Sequence, residues 1–163
     1  MSIVQFTPDY LAALVDEAAQ STRARQHRNI HTSYDDPCQR FMNAIGEDSY
    51  IRPHCHQLDS KTETVVAIRG LFAFVVFDDD GNVDDVIRFG SERFSDDGAL
   101  AVGVDVTPRI WHTIIALAPG SILLELKAGP YKPDAAKEPA PWAPEEQTPE
   151  GERYLSELKA LIR

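Results

Sequence analysis

The sequence lacks several features that mark well-known classes of protein. It has no apolar run long enough to span a bilayer, and its N-terminus has neither a basic start nor a long apolar stretch. A membrane protein or a secreted precursor is therefore not expected. It also contains no CxxC pair, no glycine-rich phosphate loop and no GxSxG sequence. With only 2 cysteines and no export signal, reduced thiols in the cytoplasm are expected.

Positive charge is also scarce. The chain has 16 basic against 26 acidic residues, a formal net charge of -10. A surface this acidic repels phosphate backbones, so we do not expect nucleic acid as a partner. The length of 163 residues favours a single domain, and a hydrophobic content of 43% is enough for a core.

Both ends of the chain carry helix signals. Thr7-Pro8 is a good helix start, because threonine can cap and proline suits the first turn. Thr148-Pro149 repeats this signature before the last apolar stripe. From residue 129 up to and including this second start, six prolines predict an extended tail, with Trp142 docking it on the rest of the protein.

The middle of the chain, from Tyr50 to Leu126, reads as strands. "TVVAIRG" and "LFAFVVF" are rich in β-branched and aromatic residues and meet at Gly70, which predicts a hairpin there. "DDDGN" predicts a turn. A calcium loop beginning at Asp78 would need a glycine where Val83 stands and a glutamate where Phe89 stands, so we interpret it as a hairpin connection. "CQRFMNAI" fits either a helix or a strand. Many short strands separated by turns predict a mostly β sandwich or small barrel.

Two histidines one residue apart are the first sign of chemistry. On a strand, His54 and His56 point to one face and Cys55 to the other. Glu63 and His112 each lie at the start of a later strand-like run. Three neutral imidazoles and one carboxylate would suit a divalent transition metal. The alternative is a chance surface pair together with a core histidine.

The order of these residues resembles the cupin superfamily. The first cupin motif resembles Gly46, His54, His56, Glu63 and Gly70, and the second resembles Gly103, Pro108 and His112. The resemblance implies a cupin-type β-barrel (a double-stranded β-helix, or jelly roll) with a helix at each end. It also implies one divalent transition metal (Zn, Mn, Fe or Ni) inside the barrel, held by His54, His56, Glu63 and His112.

A narrower resemblance covers nearly the whole chain. "CQRFMNAI", "YIRPHCH", "IRGLFAFVVFDDDG", "WHT" and "KAGPYKP" look like the WbuC-type cupin-fold metalloproteins, which implies a setting in surface polysaccharide biosynthesis. Within a single domain of residues 1–163, we expect an N-terminal helix and connecting segment at 1–45, the barrel at 46–128, and the tail with its C-terminal helix at 129–163. Because cupins often dimerise, the resemblance also implies a homodimer.

Basic residues are candidates for binding a small anion. The segment "STRARQHRN" is basic within an acidic chain, and arginine binds carboxylate or phosphate in a bidentate way. The alternative is that these arginines pair with surface acids. The predicted substrate-binding residues are Arg23, Arg25, Arg28, Arg52, Arg69 and Tyr131.

Three functions fit these features. The first is an isomerase or epimerase acting on a small anionic, carbohydrate-like substrate, with the metal as Lewis acid. The second is an iron-dependent dioxygenase, and the third is a metal-dependent binding module without turnover. The catalytic base is unknown; His27, His31 and Tyr131 are the candidates.

Overall fold

Two helices flank a mostly β fold. The computed structural model describes residues 3–58, 60–94 and 100–162. Helix α1 spans Pro8–Gln20 and α2 spans Pro149–Leu161. The hydroxyl of Thr7 accepts a hydrogen bond from the amide of Tyr10, and that of Thr148 accepts one from Gly151, so both predicted helix starts are confirmed. Neither helix is long and apolar enough to cross a membrane.

Within the described residues, ten strands form two antiparallel sheets. The strands are β1 (Arg25–Asn29), β2 (Cys38–Ile45), β3 (His54–Cys55), β4 (Glu63–Arg69), β5 (Leu71–Phe77), β6 (Val83–Gly90), β7 (Gly103–Val106), β8 (Trp111–Ala116), β9 (Ser121–Ala128) and β10 (Glu138–Pro139). The first sheet has the order β1-β2-β9-β4-β7, and the second has the order β10-β3-β8-β5-β6. The predicted mostly β fold is confirmed.

The core lies between the sheets. Their inner faces meet in a cluster that includes Val65, Phe72, Phe74 and Leu123, each at most 1% exposed. Helix α1 covers the outer face of the first sheet, where Leu14 packs in a cluster with buried side chains of β2 and β9. Helix α2 covers the second sheet with Leu155 and Leu158. The inner faces of both sheets therefore form the core.

The predicted hairpin at Gly70 is wrong. β4 pairs with β7 and β9, whereas β5 pairs with β6 and β8, so the two strands lie in different sheets. One connecting residue is too short for a hairpin, which needs a loop of two or more. Gly70, at φ +90°, instead lets the chain turn the corner between the sheets.

The polar segment after α1 forms part of the first sheet. β1 pairs antiparallel with β2, and β2 is the "CQRFMNAI" run that fits either state by sequence. The sheets therefore begin at Arg25, within the 1–45 segment that we expected to be a helix and a connection. Residues Phe41, Asn43 and Ile45 face inwards, while Met42 and Ala44 lie under α1.

The C-terminal tail crosses the barrel before α2 begins. β10 pairs with β3, so residues 138–139 extend the second sheet. The ring of Trp142 lies 5.1 Å from that of Phe77, which agrees with the predicted docking of the tail. The "DDDGN" turn joins β5 to β6 as predicted, with the amide of Asp78 donating to the carbonyl of Asn82.

Candidate metal centre

Three histidines converge between the sheets. His54 on β3 is the register partner of His112 on β8, and His56 follows β3 directly. One ligand atom from each ring lies within 4.8 Å of those of the other two. The three rings, which we call the triad, could therefore hold one metal ion. Cys55 points away: its Sγ lies 3.5 Å from Glu138, and burial together with that carboxylate raises its pKa to about 11.

Backbone carbonyls orient each ring of the triad. The Nδ1 atoms of His54, His56 and His112 lie 3.0, 2.6 and 2.8 Å from the carbonyls of Arg52, Ala136 and Ile110. A carbonyl can only accept, so each Nδ1 carries the proton and each Nε2 keeps its lone pair. The Nε2 atoms of His56 and His112 are buried and have no hydrogen-bond partner in the described part of the chain. Such orphaned lone pairs are what a metal ion requires.

Burial favours the neutral form of two rings of the triad, His54 and His112. Desolvation, and then the charge of His112, holds the pKa of His54 well below its usual value. Desolvation also lowers the pKa of His112. Neutral imidazole is the form that binds a metal.

Glu63 lies beside the triad at the start of β4. Its Oε2 is 2.9 Å from Nε2 of His56 and 3.9 Å from Nζ of Lys127. Because Nδ1 of His56 carries the proton, neither atom of the first contact has a hydrogen to donate, and this Nε2 has no hydrogen-bond partner among the described residues. Burial raises the pKa of Glu63, but the hydrogen bond that a protonated His56 would donate, together with nearby positive charges such as Lys127, outweighs burial and holds it below its usual value. A carboxylate therefore completes a donor set of three nitrogens and an oxygen, which fits a divalent transition metal.

A cavity of about 450 Å³ opens beside the triad. The register of the first sheet places its inward side chains in rows. One row contains Gln39, Lys127 and Glu63, and the next contains Phe41, Glu125 and Val65. The size lies within the range of small-molecule sites.

Arg23, Arg25 and Tyr131 line this cavity. Arg25 is 7% exposed, and its guanidinium lies 2.5 Å from a carboxylate oxygen of Glu146, so its charge is already neutralised. Arg23 is exposed at the mouth. Tyr131 is 40% exposed, and its ring lies 5.0 Å from that of Tyr34.

Arg28, Arg52 and Arg69 are not among the described residues that line the cavity, and their role in substrate binding stays a prediction. Side chains alternate along β1, so Arg28 points away from the cavity that Arg25 and His27 line. On the outer face it pairs with Glu17 at 2.5 Å. Arg52 binds Glu145 and the carbonyl of Ala140, and thereby holds the tail. Arg69 is exposed beside Gly120 at the far end of β4.

Several cavity residues escape sequence reasoning. Glu125, Lys127, Asn43 and Lys137 all line the cavity. The available signal is the alternation of "SILLELKA", which puts Glu125 and Lys127 on the face of the core residue Leu123. Burial, and then the charge of Glu63, raises the pKa of Glu125 well above its usual value. Glu125 is therefore favoured as the neutral acid in this cavity.

His27 and His31, two of the three candidates for the catalytic base, both line the cavity but differ in burial and in hydrogen bonding. Burial, and then the charges of Arg23 and Arg25, lowers the pKa of His27, so it is neutral at pH 7 and can accept a proton. His31 is 7% exposed, and its Nδ1 lies 3.0 Å from the backbone amide of Arg40.

The chain is similar in structure to several solved proteins, two of them with a TM-score above 0.5. Protein SO0799 from Shewanella oneidensis matches with a TM-score of 0.57 at 12% identity, over 83% of this chain and 85% of that chain. An oxalate oxidase in complex with the substrate analogue glycolate matches with a TM-score of 0.51 at 6% identity, over 69% of this chain and 55% of that chain. A cupin 2 domain-containing protein from Halorhodospira halophila matches with a TM-score of 0.48 at 14% identity, over 85% of this chain and 81% of that chain. No curated protein matches the sequence.

Two antiparallel five-stranded sheets, a helix at each end and a histidine triad between the sheets define a cupin-type fold. A family model matches residues 6–89, just over half of the chain. The chain belongs to that family, described as a domain of unknown function (DUF6016). The matched range includes His54, His56 and Glu63, whereas His112 and Glu125 lie beyond it.

Proposed function

We propose that this protein binds one divalent transition metal (Zn, Mn, Fe or Ni) through His54, His56, His112 and Glu63. The observation that carries the proposal is the set of buried Nε2 atoms that have no partner while each Nδ1 is bound to a carbonyl. Such an arrangement costs stability unless something binds the lone pairs. A metal ion satisfies them, and Glu63 offsets part of its charge.

The proposed ligand is a small anion. The metal with one carboxylate ligand is a net positive centre, and Lys127 and Lys137 add positive charge to the cavity wall. Arg23 lies at the mouth, where it can contact an anionic group. Tyr131 provides an aromatic wall. Arg25 is occupied by Glu146, so it shapes the cavity without a free charge for the ligand.

We propose an isomerase- or epimerase-type reaction on a carbohydrate-like anion. The metal would supply Lewis-acid polarisation of a ligand oxygen. Glu125, favoured in its neutral form, can donate a proton to that ligand, and neutral His27 can accept one. The WbuC-type kinship and the polysaccharide setting belong to this proposal and rest on the sequence motifs.

Metal content provides the first test. The His54→Ala, His56→Ala double variant should lose at least tenfold in metal affinity, because two of four ligands are gone. His27→Ala is the matched control: it removes a cavity histidine that lies outside the triad, so its metal content should equal that of wild type. Elemental analysis after dialysis against each metal measures both. Full metal content in the double variant would refute the metal site.

Solvent exchange tests the reaction. Metal-loaded protein is incubated in heavy water with sugar phosphates, nucleotide sugars and small hydroxy acids, and deuterium is sought by NMR at the carbon next to a carbonyl. Incorporation supports the isomerase type. Oxygen consumption without incorporation would support the iron-dependent dioxygenase. Ligand binding in a thermal-shift screen with neither outcome would support a binding module without turnover.

A further inference from the structure

His31 is a buried cavity residue that the metal centre does not use. It is 7% exposed, it lines the cavity, and its Nε2 has no hydrogen-bond partner in the described chain. An unpartnered buried polar atom costs stability, which makes it informative when it faces a cavity. Arg25, His27 and Asn29 are the alternate residues of β1 that line the cavity, and His31 continues this alternation just beyond the strand.

In the neutral ring of His31, the tautomer is the reverse of that in the triad. The backbone amide of Arg40 donates to Nδ1 of His31 at 3.0 Å, and an amide N–H can only donate. The carbonyl of Arg40 also lies 2.9 Å from this Nδ1 and accepts from the amide of Ile30, but a proton on Nδ1 would face the amide hydrogen of Arg40. Nδ1 therefore accepts, and in the neutral ring the proton sits on Nε2. His31 offers a donor to the cavity, whereas the triad offers lone pairs, so Nε2 of His31 cannot act as the base.

His31 and Glu63 lie at opposite sides of the cavity. In the first sheet, β1 and β4 are separated by β2 and β9, so three strand spacings of about 4.8 Å put about 14 Å between them along the sheet. The side chains of both reach inwards and shorten this gap. A ligand that fills the cavity can therefore touch both sides.

The surroundings of His31 are fixed before a ligand arrives. Buried Gln39 donates to the carbonyls of Ser33, Tyr34 and Asp36, and so holds the loop that follows β1. The ring of Tyr34 lies 6.0 Å from that of His31. The amide of Tyr131 donates to the carbonyl of Tyr34 at 2.7 Å, which ties the tail to this loop. Such preorganisation lowers the entropic cost of binding.

We propose that Nε2–H of His31 binds an acceptor oxygen at the far end of the ligand, so that the cavity selects two-ended anions. One end is a carboxylate or hydroxy acid at the metal centre, and this half rests on the proposed function. The other end carries a carboxylate, carbonyl or hydroxyl oxygen that accepts from His31. A ligand with an apolar far end leaves the donor unpaired and binds more weakly.

Two substitutions separate binding from folding. His31→Asn keeps an acceptor near the position of Nδ1 for the Arg40 amide but removes the distal donor. His31→Gln restores an amide N–H near the position of Nε2. Wild type and both variants, loaded with zinc, are titrated calorimetrically with dicarboxylates from succinate to pimelate and with monocarboxylates of the same chain lengths.

At the best chain length, wild type should bind the dicarboxylate more tightly than the matching monocarboxylate. His31→Asn should lose about tenfold in affinity for the dicarboxylate, the value of one hydrogen bond to a charged group, and lose nothing for the monocarboxylate. His31→Gln should recover part of that loss. Equal losses for both ligand series, or an unchanged preference in His31→Asn, would overturn the proposal.

Metal content is measured separately in each sample. If zinc binds stoichiometrically but His31→Asn keeps the full preference, the His31 proposal fails and the metal site stands. If zinc does not bind while the His31→Asn effect persists in metal-free protein, the proposed function fails and the role of His31 stands. A loss of thermal stability confined to His31→Asn, with both ligand series weakened alike, would assign His31 a structural role only.

Discussion

Individual imidazoles differ in this cavity according to what their Nδ1 atoms contact. Those of the triad face carbonyls, which leaves lone pairs at Nε2. That of His31 faces an amide, which leaves a proton at Nε2. Four rings of one residue type therefore offer two kinds of chemistry, and the difference comes from the backbone group beside each ring.

Glu125 lowers the free energy of unfolding of the metal-free protein at neutral pH. Its raised pKa means that the unfolded chain loses the proton first, so the free energy of unfolding falls as the pH rises above about 4.5 towards the folded pKa. In metal-free protein, Glu125→Gln should therefore raise the free energy of unfolding at pH 7 by roughly 1–3 kcal/mol, the cost of desolvating a buried polar group. Denaturant titrations at several pH values measure this difference.

The gain from Glu125→Gln should vanish below about pH 4, where both states of wild type carry the proton. Glu157→Gln is the matched control, because Glu157 is exposed on α2. A gain at pH 7 as large in the control as in Glu125→Gln would contradict the burial argument. A residue that lowers stability while facing the cavity is typical of a functional site.

At the scale of elements, one glycine decides which sheet each central strand joins. At Gly70 the chain leaves the first sheet and enters the second within a single residue. A Cβ there would lie 2.1 Å from Oγ and 2.7 Å from Cα of Ser121. The corner therefore requires both a positive φ and a close approach between two chain segments.

Gly70→Ala should lower the free energy of unfolding by about 2–5 kcal/mol, from left-handed strain and from overpacking against Ser121. Gly120→Ala is a matched control, since Gly120 also has a positive φ of +67° but its nearest contact is at 3.6 Å. The control should cost only the strain, about 1–2 kcal/mol. Chemical denaturation of the three proteins measures both; equal costs would show that the contact with Ser121 can relax.

At the scale of the whole molecule, ion pairs hold the tail against the barrel. Glu146 lies 2.5 Å from the guanidinium of Arg25, and neighbouring Glu145 pairs with Arg52. The tail in turn supplies Ala136, whose carbonyl orients His56. Attachment of the tail therefore bears on the geometry of the triad.

Acid should loosen this attachment. Burial raises the pKa of Glu146, but the hydrogen bond and charge of Arg25 outweigh burial, so its pKa lies below the usual 4.5. Its contribution to stability is present above pH 4.5 and is lost as the pH falls through the folded pKa. Glu146→Gln should cost about 2 kcal/mol at pH 7, the value of a hydrogen bond between charged groups, and progressively less in acid.

Thermal or urea unfolding between pH 3 and 7 measures the effect of Glu146→Gln. Glu145→Gln provides the comparison, because its side chain is 74% exposed and such a pair contributes little. A pH profile of Glu146→Gln that runs parallel to wild type would contradict the assignment to this carboxylate.

Local signals in the sequence predict much of the fold and part of the site. Capping at Thr7 and Thr148, β-branched runs and turn residues act within a few positions, so the helices and most strands follow from them. The spacing of His54 and His56 places both on one face for the same reason. The cupin motifs extend this to His112 and Glu63, which the structure brings together between the sheets.

Strand pairing and the opposite wall of the cavity were decided only by the tertiary structure. Whether Gly70 makes a hairpin or a corner depends on Ser121, which is distant in the sequence. Glu125, Lys137 and His31 become cavity residues only when β9, the tail and β1 meet. The sequence determines side-chain periodicity, because alternation is a property of a single strand, but register and long-range burial depend on which segments the folded chain brings into contact.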